Sequence, residues 1–328
     1  MKAAHWVERG RVVCEDAPAP PPLADGEVLV RTAYSSICGS DLHQVYLNPP
    51  PPDSPPGYPC HESVGEVVES RYPGLEPGDN VLIAPLAAPA SGRCLAEFQN
   101  VGGAFCIKLP DTAPLSQLLM AQQLGTVIFA LRYHPIDYLG KDVAIIGQGS
   151  VGVFFTFLLR QFGASRIMVS DKSPARLAYG RQLGADLAVD ASAGDGVSEF
   201  RAAVLDATGG RGADVVVEAV GSRETFPLSV ELAARGAHLI WFGLPEGTDP
   251  YPFSFSAFFR KGLTAYSNFG AQTELGLESF RHAVRLITSG AIDVSPLLSH
   301  ALPIEDVEQA FQMAHDRTDN ALKVSIKF

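Results

Sequence analysis

Val143-Ala144-Ile145-Ile146-Gly147-Gln148-Gly149-Ser150-Val151-Gly152-Val153-Phe154-Phe155 is the stretch that decides the fold of this chain. Four apolar residues read as a buried strand, Val143–Ile146, and the glycines behind them fall as G-x-G-x-x-G ahead of an apolar helix, Val151–Gln161. Gly147 permits the tight turn, Gly149 lets a pyrophosphate approach the backbone, and Gly152 lets helix and strand pack closely. With Ser150 and Val151 at its start, the helix offers free N–H groups and a positive dipole end to phosphate. Alone, the motif also fits an ordinary glycine turn. However, Asp171 stands 19 residues after Gly152, where the next strand, Arg166–Ser170, ends. A carboxylate there accepts both ribose hydroxyls and repels a 2′-phosphate, which argues for NAD over NADP. Lys172 and Arg176 soften that preference, since either cation tolerates a phosphate if it turns inward.

Working outward, Leu187–Val189, Val215–Val217, His238–Trp241 and Leu263–Tyr266 supply four more strands. Helices Pro174–Leu183, with Ser173 as N-cap, and Glu224–Ala234 lie between them. Six strands alternating with helices make a doubly wound parallel sheet, an α/β architecture. Val220 and Leu244 follow the fourth and fifth strands, at the carboxyl edge where a nicotinamide pocket would be lined. His238 and Trp241 are expected in the core. Before residue 114 the rhythm differs. Short runs Glu27–Tyr34, Ser63–Val68 and Asn80–Ile83, separated by Gly, Pro and Asp, suggest a small, mostly antiparallel barrel, with Pro49–Pro56 an extended surface loop. A helical stretch runs from Pro114 through Ala130. The tail returns to a helix at Leu277–Ser289 and a strand at Leu322–Lys327 that rejoins the barrel. The expected division is a discontinuous domain of residues 1–121 and 269–328 around a dinucleotide-binding domain, 122–268.

Composition bounds the function. The 328 residues are 46% hydrophobic and only 19% charged, enough apolar surface for a buried core. Twenty-five Lys and Arg against 36 Asp and Glu give a net charge of −11, the wrong sign for nucleic acid or an anionic membrane. No apolar run reaches transmembrane length, and the N-terminus does not read as a signal peptide. Five scattered cysteines make no disulfide framework and suggest a reduced, cytoplasmic protein.

Two further stretches carry chemistry, Cys38-Gly39-Ser40-Asp41-Leu42-His43 and Cys60-His61-Glu62, both expected on turns beside strands. Thiolate with imidazole suits zinc, and a catalytic zinc site needs about three protein ligands with one position open. Cys38 and His61 are the first two candidates. A buried Cys that merely fills space and a His that merely hydrogen-bonds are the alternatives. Cys60, next to His61 along a strand, points to the opposite face and is expected to be structural.

These stretches, with Glu76-Pro77-Gly78-Asp79-Asn80-Val81, the glycine loop, Asp171 and Lys323-Val324-Ser325-Ile326, resemble the zinc-dependent medium-chain dehydrogenases, especially the polyol and threonine dehydrogenase branch. The resemblance spans nearly the whole chain. It implies a GroES-like catalytic domain, a Rossmann domain, a cleft between them, and hydride transfer between NAD(H) and a secondary alcohol, polyol or matching ketone. By this resemblance Cys38 and His61 are zinc ligands and Glu62 is a supporting or exchanging ligand. Ser40 and His43 form a proton relay, Thr126 packs against the nicotinamide, and Lys323 reaches the pyrophosphate. It also implies a homodimer or homotetramer paired through the Leu263–Tyr266 edge strand.

The chain departs from the pattern at the third ligand, where Gln122 stands for a Cys or Glu, and at the structural-zinc lobe, where only Cys94 remains. One catalytic zinc and no structural zinc are therefore expected. A zinc-independent quinone or enoyl reductase and a non-catalytic dinucleotide binder are the competing readings. Pocket walls are expected from Tyr46–Tyr58, Phe253–Phe259 and Phe269.

Overall fold

In the computed structural model, which describes all residues except 85–92, 248 and 268–269, the chain divides into two units. Unit 1 comprises Met1–Phe129 with Gly270–Phe328, and unit 2 is Ala130–Phe269. Phe269 lies outside the described residues.

Unit 1 begins with an antiparallel ribbon of β1 (Lys2–Glu8) and β2 (Arg11–Asp16). There follow β3 (Glu27–Ser36), α1 (Gly39–Leu47), β4 (Glu62–Ser70), β5 (Asn80–Ile83), β6 (Phe98–Gly102), β7 (Cys106–Lys108), α2 (Leu115–Leu118) and α3 (Met120–Tyr133). Alternate residues of β3 face a core of Val28, Val30, Val67, Val81, Ile83 and Val101, the period-2 pattern of a sheet buried on one side. Cys38 to His43, expected as a turn, instead start a helix. Cys38 is its N-cap, and the Asp41 side chain accepts the Cys38 N–H at 2.8 Å, as a capping residue one turn in can do.

Unit 2 contains β8 (Asp142–Ile146), α4 (Ser150–Gln161), β9 (Arg166–Asp171), α5 (Pro174–Gln182), β10 (Leu187–Asp190), α6 (Gly196–Ala207), β11 (Ala213–Glu218), α7 (Thr225–Leu232), β12 (Ala233–Trp241), α8 (Phe255–Lys261) and β13 (Thr264–Ser267). Its strands run β10-β9-β8-β11-β12-β13, every pair parallel, the doubly wound order whose crossover point lies between β8 and β11. α6 was not anticipated, although Asp195 caps it by accepting the Ser198 N–H. α4 is buried continuously from Gly152 to Leu159, so it is embedded rather than amphipathic. His238 and Trp241 are half-buried, not core, and the Trp241 indole donates to Ser229 Oγ.

The chain then returns to unit 1 with α9 (Glu278–Thr288), β14 (Leu298–Pro303), α10 (Val307–Asp316) and β15 (Lys323–Lys327). β15 pairs antiparallel with the edge of β3 opposite to β4, and β14 adds parallel to β15. The tail strand is therefore an integral part of the N-terminal sheet. Ile304, Val307, Ala310 and Phe311 close a second core against Trp6, Val12 and Val45.

Two glycines are required by close approach. A Cβ on Gly152 would lie 1.9 Å from the Gly147 carbonyl oxygen, and one on Gly125 would lie 2.4 Å from Phe280 Cδ1 and 2.7 Å from its Cα. The second contact lets α3 lie directly against α9. Gly125→Ala gains about 1 kcal/mol of helix propensity. Because backbone as well as side chain stands in the way, overpacking of roughly 1–3 kcal/mol should win. Denaturant unfolding of G125A is expected to show a net loss of stability, and an unchanged or raised midpoint would refute this packing account.

Candidate functional site

The pairing of β3 with β4 places Ser36 opposite Glu62. The two residues that continue β3 end in Cys38, and His61 immediately precedes β4, so the ends of two neighbouring strands bring sulfur and imidazole together. Cys38 Sγ, a His61 ring nitrogen and a Glu62 oxygen all lie within 4.8 Å of one another. Tetrahedral zinc with bonds of 2.0–2.3 Å holds its ligands roughly 3.3–3.8 Å apart, so a small inward movement of these side chains suffices. Among the described residues no other group of three such side chains converges in this way.

The residue that organises this cluster is Asp41, which sequence reasoning did not single out. Its buried carboxylate accepts from the Cys38 N–H through Oδ2 and lies 3.1 Å from His61 Nδ1 through Oδ1. A carboxylate on Nδ1 fixes the imidazole so that Nε2 is the nitrogen left for a metal. The Cys60 thiol also points at Asp41 Oδ2, at 3.4 Å, and burial first, then the Asp41 charge, push its titration well above the ordinary range. Cys60 is thus a protonated structural donor. Burial pulls the His61 ring toward neutrality, but Asp41 and the Cys38 sulfur outweigh it, so His61 titrates well above an ordinary histidine. The pocket favours positive charge at the ring. The available sign was the i,i+3 spacing of Cys38 and Asp41 typical of a helix cap.

Glu62 is buried and keeps its charge. Burial raises its proton affinity, but Lys323 and His61 lower it further, and the net shift is downward. Lys323 Nζ stands 2.5 Å from Glu62 Oε2, and Ser36 Oγ donates to the same oxygen. Glu62 Oε1 is buried with no hydrogen-bond partner, which is where a cation would be satisfied. The expectation that Lys323 reaches a cofactor pyrophosphate needs correcting. It is only 3% exposed, and its charge is committed to Glu62, because the β15–β3 register sets Ser325 opposite Ser36 and so carries Lys323 to the same end of the sheet.

Ser40 and His43 are both half-buried and three residues apart on α1, on one helix face. Gln122, expected as third ligand, is buried on α3 and its carbonyl accepts from Thr126 Oγ1. The neighbouring residue Gln123 places its Nε2 3.9 Å from Cys38 Sγ.

In unit 2 the glycine loop leads from β8 into α4. Gly147 has φ +91°, a region favourable only to glycine, and Gly149 is the N-cap. Ser150 and Val151 open the helix, leaving the terminal amides available to an anion. The loop is braced from beneath by buried Gln148, which accepts from Thr156 Oγ1 and donates to the Gly147 carbonyl, both at 3.0 Å. Asp171 ends β9 and accepts the Gln148 N–H at 2.7 Å and the Ser173 N–H at 2.8 Å. A carboxylate has about four acceptor sites, so two remain for ribose hydroxyls. Arg176 turns inward, 3.9 Å from Asp171, whereas Lys172 is exposed.

Val220 and Leu244 are surface-exposed at the ends of β11 and β12. Their loops touch, since a Cβ on Gly221 would lie 2.0 Å from the Leu244 carbonyl oxygen. Buried Glu218, another residue not anticipated, accepts the Val220 and Gly221 N–H groups at 2.9 Å each, and burial raises its proton affinity. Of the aromatic cluster expected to wall a pocket, Phe255 and Phe259 are largely exposed on α8.

Comparison with known proteins agrees with this arrangement. Residues 24–111 match the alcohol dehydrogenase GroES-like domain and residues 150–289 the zinc-binding dehydrogenase domain. An alcohol dehydrogenase of Cupriavidus necator is 28% identical, covering 100% of this chain and 98% of its own. Human sorbitol dehydrogenase is 26% identical, covering 92% and 89%. The structure of the alcohol dehydrogenase TADH from Thermus sp. ATN1 superposes over both full chains with a TM-score of 0.85 at 26% identity. With both domain matches in chain order and full-length similarity to such enzymes, the chain belongs to the zinc-type medium-chain alcohol and polyol dehydrogenases.

Proposed function

We propose that this enzyme transfers a hydride between NAD(H) and a secondary alcohol or polyol, or the matching ketone, with Cys38, His61 and Glu62 holding one catalytic zinc ion. The observation that carries this reading is the convergence of those three donor atoms within 4.8 Å around a histidine oriented by a buried carboxylate. Structural sulfur or a spare histidine would need no such company.

When bound, zinc would supply the Lewis acidity that brings a hydroxyl proton within reach of neutral pH, as it lowers the pKa of bound water to about 7. Asp41 keeps the His61 Nδ1 proton and so presents Nε2 to the ion. Ser40 accepts the hydroxyl proton as it passes on its own, and His43 carries the proton toward solvent. The amides at the start of α4 hold the pyrophosphate, Asp171 the ribose, and Val220 and Leu244 flank the nicotinamide. Asp171 supports NAD, while the inward Arg176 keeps a counter-charge for a 2′-phosphate close at hand. β13 is an edge strand of the parallel sheet and is our candidate for subunit pairing.

Protein purified without chelator should contain close to one zinc per chain and oxidise secondary alcohols with NAD. Cys38→Ser should lose both zinc and turnover while keeping its circular dichroism, and Asp41→Asn should lower zinc affinity about 10–100-fold. Full turnover after exhaustive chelation would overturn the metal role. Lys323→Met leaves Glu62 without its counter-charge, so metal-free protein should lose about 3–5 kcal/mol. The zinc-loaded form should lose less, because the dication takes over that neutralisation, and equal losses in the two forms would contradict the pairing described. Asp171→Asn keeps an acceptor for the Gln148 amide but releases Arg176. Its NADP-to-NAD ratio of kcat/KM should rise about tenfold or more, worth about 1.4 kcal/mol, and Arg176→Ala on that background should cancel the gain.

A further inference from the structure

The third donor expected from the chain is missing at Gln122, yet the cluster contains an unexplained polar group. Gln123 is 6% exposed on α3, its Nε2 is 3.9 Å from Cys38 Sγ, and its Oε1 is buried without a hydrogen-bond partner. Glu62 Oε1 is in the same condition. Such unpartnered buried acceptors are costly, since each has given up water for nothing. A cation held beside Cys38 is a partner that an acceptor of either kind could take, and Gln123 Oε1 would meet it once the amide is turned end for end.

The charges point the same way. Ionised Cys38, Glu62 and Asp41 carry three negative charges, and Lys323 one positive. With a dication the buried group sums to zero when the remaining donor is neutral, and to −1 when that donor is a thiolate or carboxylate. An isolated buried charge is strongly unfavourable. A carboxamide is therefore the donor that this Lys323-containing site accommodates.

We propose that Gln123, not Gln122, completes the metal site, its side-chain carbonyl oxygen serving as a neutral donor beside Cys38, His61 and Glu62. The proposal rests on the zinc-site reading above. Exchanging the two ends of the amide is a half-turn about its last bond and needs no movement of α3. A neutral donor also leaves more positive charge on the ion than a third anion would, which favours acidification of an alcohol held there.

The test uses the full chain loaded with cobalt(II), read by its visible ligand-field bands, and with zinc, read by competition with a chromophoric chelator. Gln123→Leu should shift the cobalt bands and weaken both metals at least about tenfold, in the range seen when metal-supporting groups are lost. Gln123→Asn, which withdraws the amide by one carbon, should weaken them too. Gln123→Glu keeps an oxygen donor but adds the negative charge that this site does not accommodate, so it should bind both metals more tightly than Gln123→Leu yet fall short of wild-type affinity. Gln122→Leu should leave spectrum and affinity at wild-type values. Wild-type bands and affinity in Q123L, or in Q123N should Q123L not fold, overturn the proposal, as does a spectral change confined to Q122L. A wild-type chain that binds neither metal defeats the zinc reading itself, which separates that failure from this one.

Discussion

One buried carboxylate, Asp41, is the constraint on which the candidate metal centre depends. It belongs to the first turn of α1, yet it ties that turn to Cys38 through the backbone and to His61 across the β3–β4 junction. Without it the helix start, the sulfur and the imidazole would be neighbours without fixed orientation. Because Cys60 also donates to Asp41, the residues either side of the His61 peptide are held by one anchor. A carboxylate buried this deeply is stabilised by the donors around it, and here those donors are the groups it positions.

Around that anchor the site is a balance of buried charge. Glu62 is held by Lys323 from a strand about 260 residues later in the chain, and the two are adjacent because β15 joins the edge of β3. Such a pair is weak evidence for stability, since both ions were desolvated to make it. Its consequence is electrostatic: half of Glu62 is spoken for by the ammonium and the Ser36 hydroxyl, and the other oxygen is buried and unpartnered.

Unit 2 uses buried polar groups differently. Glu218 accepts two backbone amides of a loop at the carboxyl end of the parallel sheet, and Gln148 ties the Gly147 carbonyl of another to the Thr156 hydroxyl of α4. Loops that must present free amides to a phosphate cannot use those amides to hold themselves together, so side chains beneath do so.

The local patterns of this chain were sufficient for the parallel sheet, the glycine loop, Asp171 and the Ser173 cap, because each rests on periodicity or on contacts within a few residues. Pairing of Cys38 with His61 was legible as chemistry, since few functions need thiol, imidazole and carboxylate in such short stretches. Other features depended on which strand edges meet and which face of a helix turns inward. Lys323 reads as a strand lysine until β15 is placed against β3, and Asp41 reads as a surface acid until Cys38 caps a helix. Gln122 and Gln123 are indistinguishable by composition. Neighbours on a helix point about 100° apart, so only the packing of α3 on α9 decides which amide meets the sulfur.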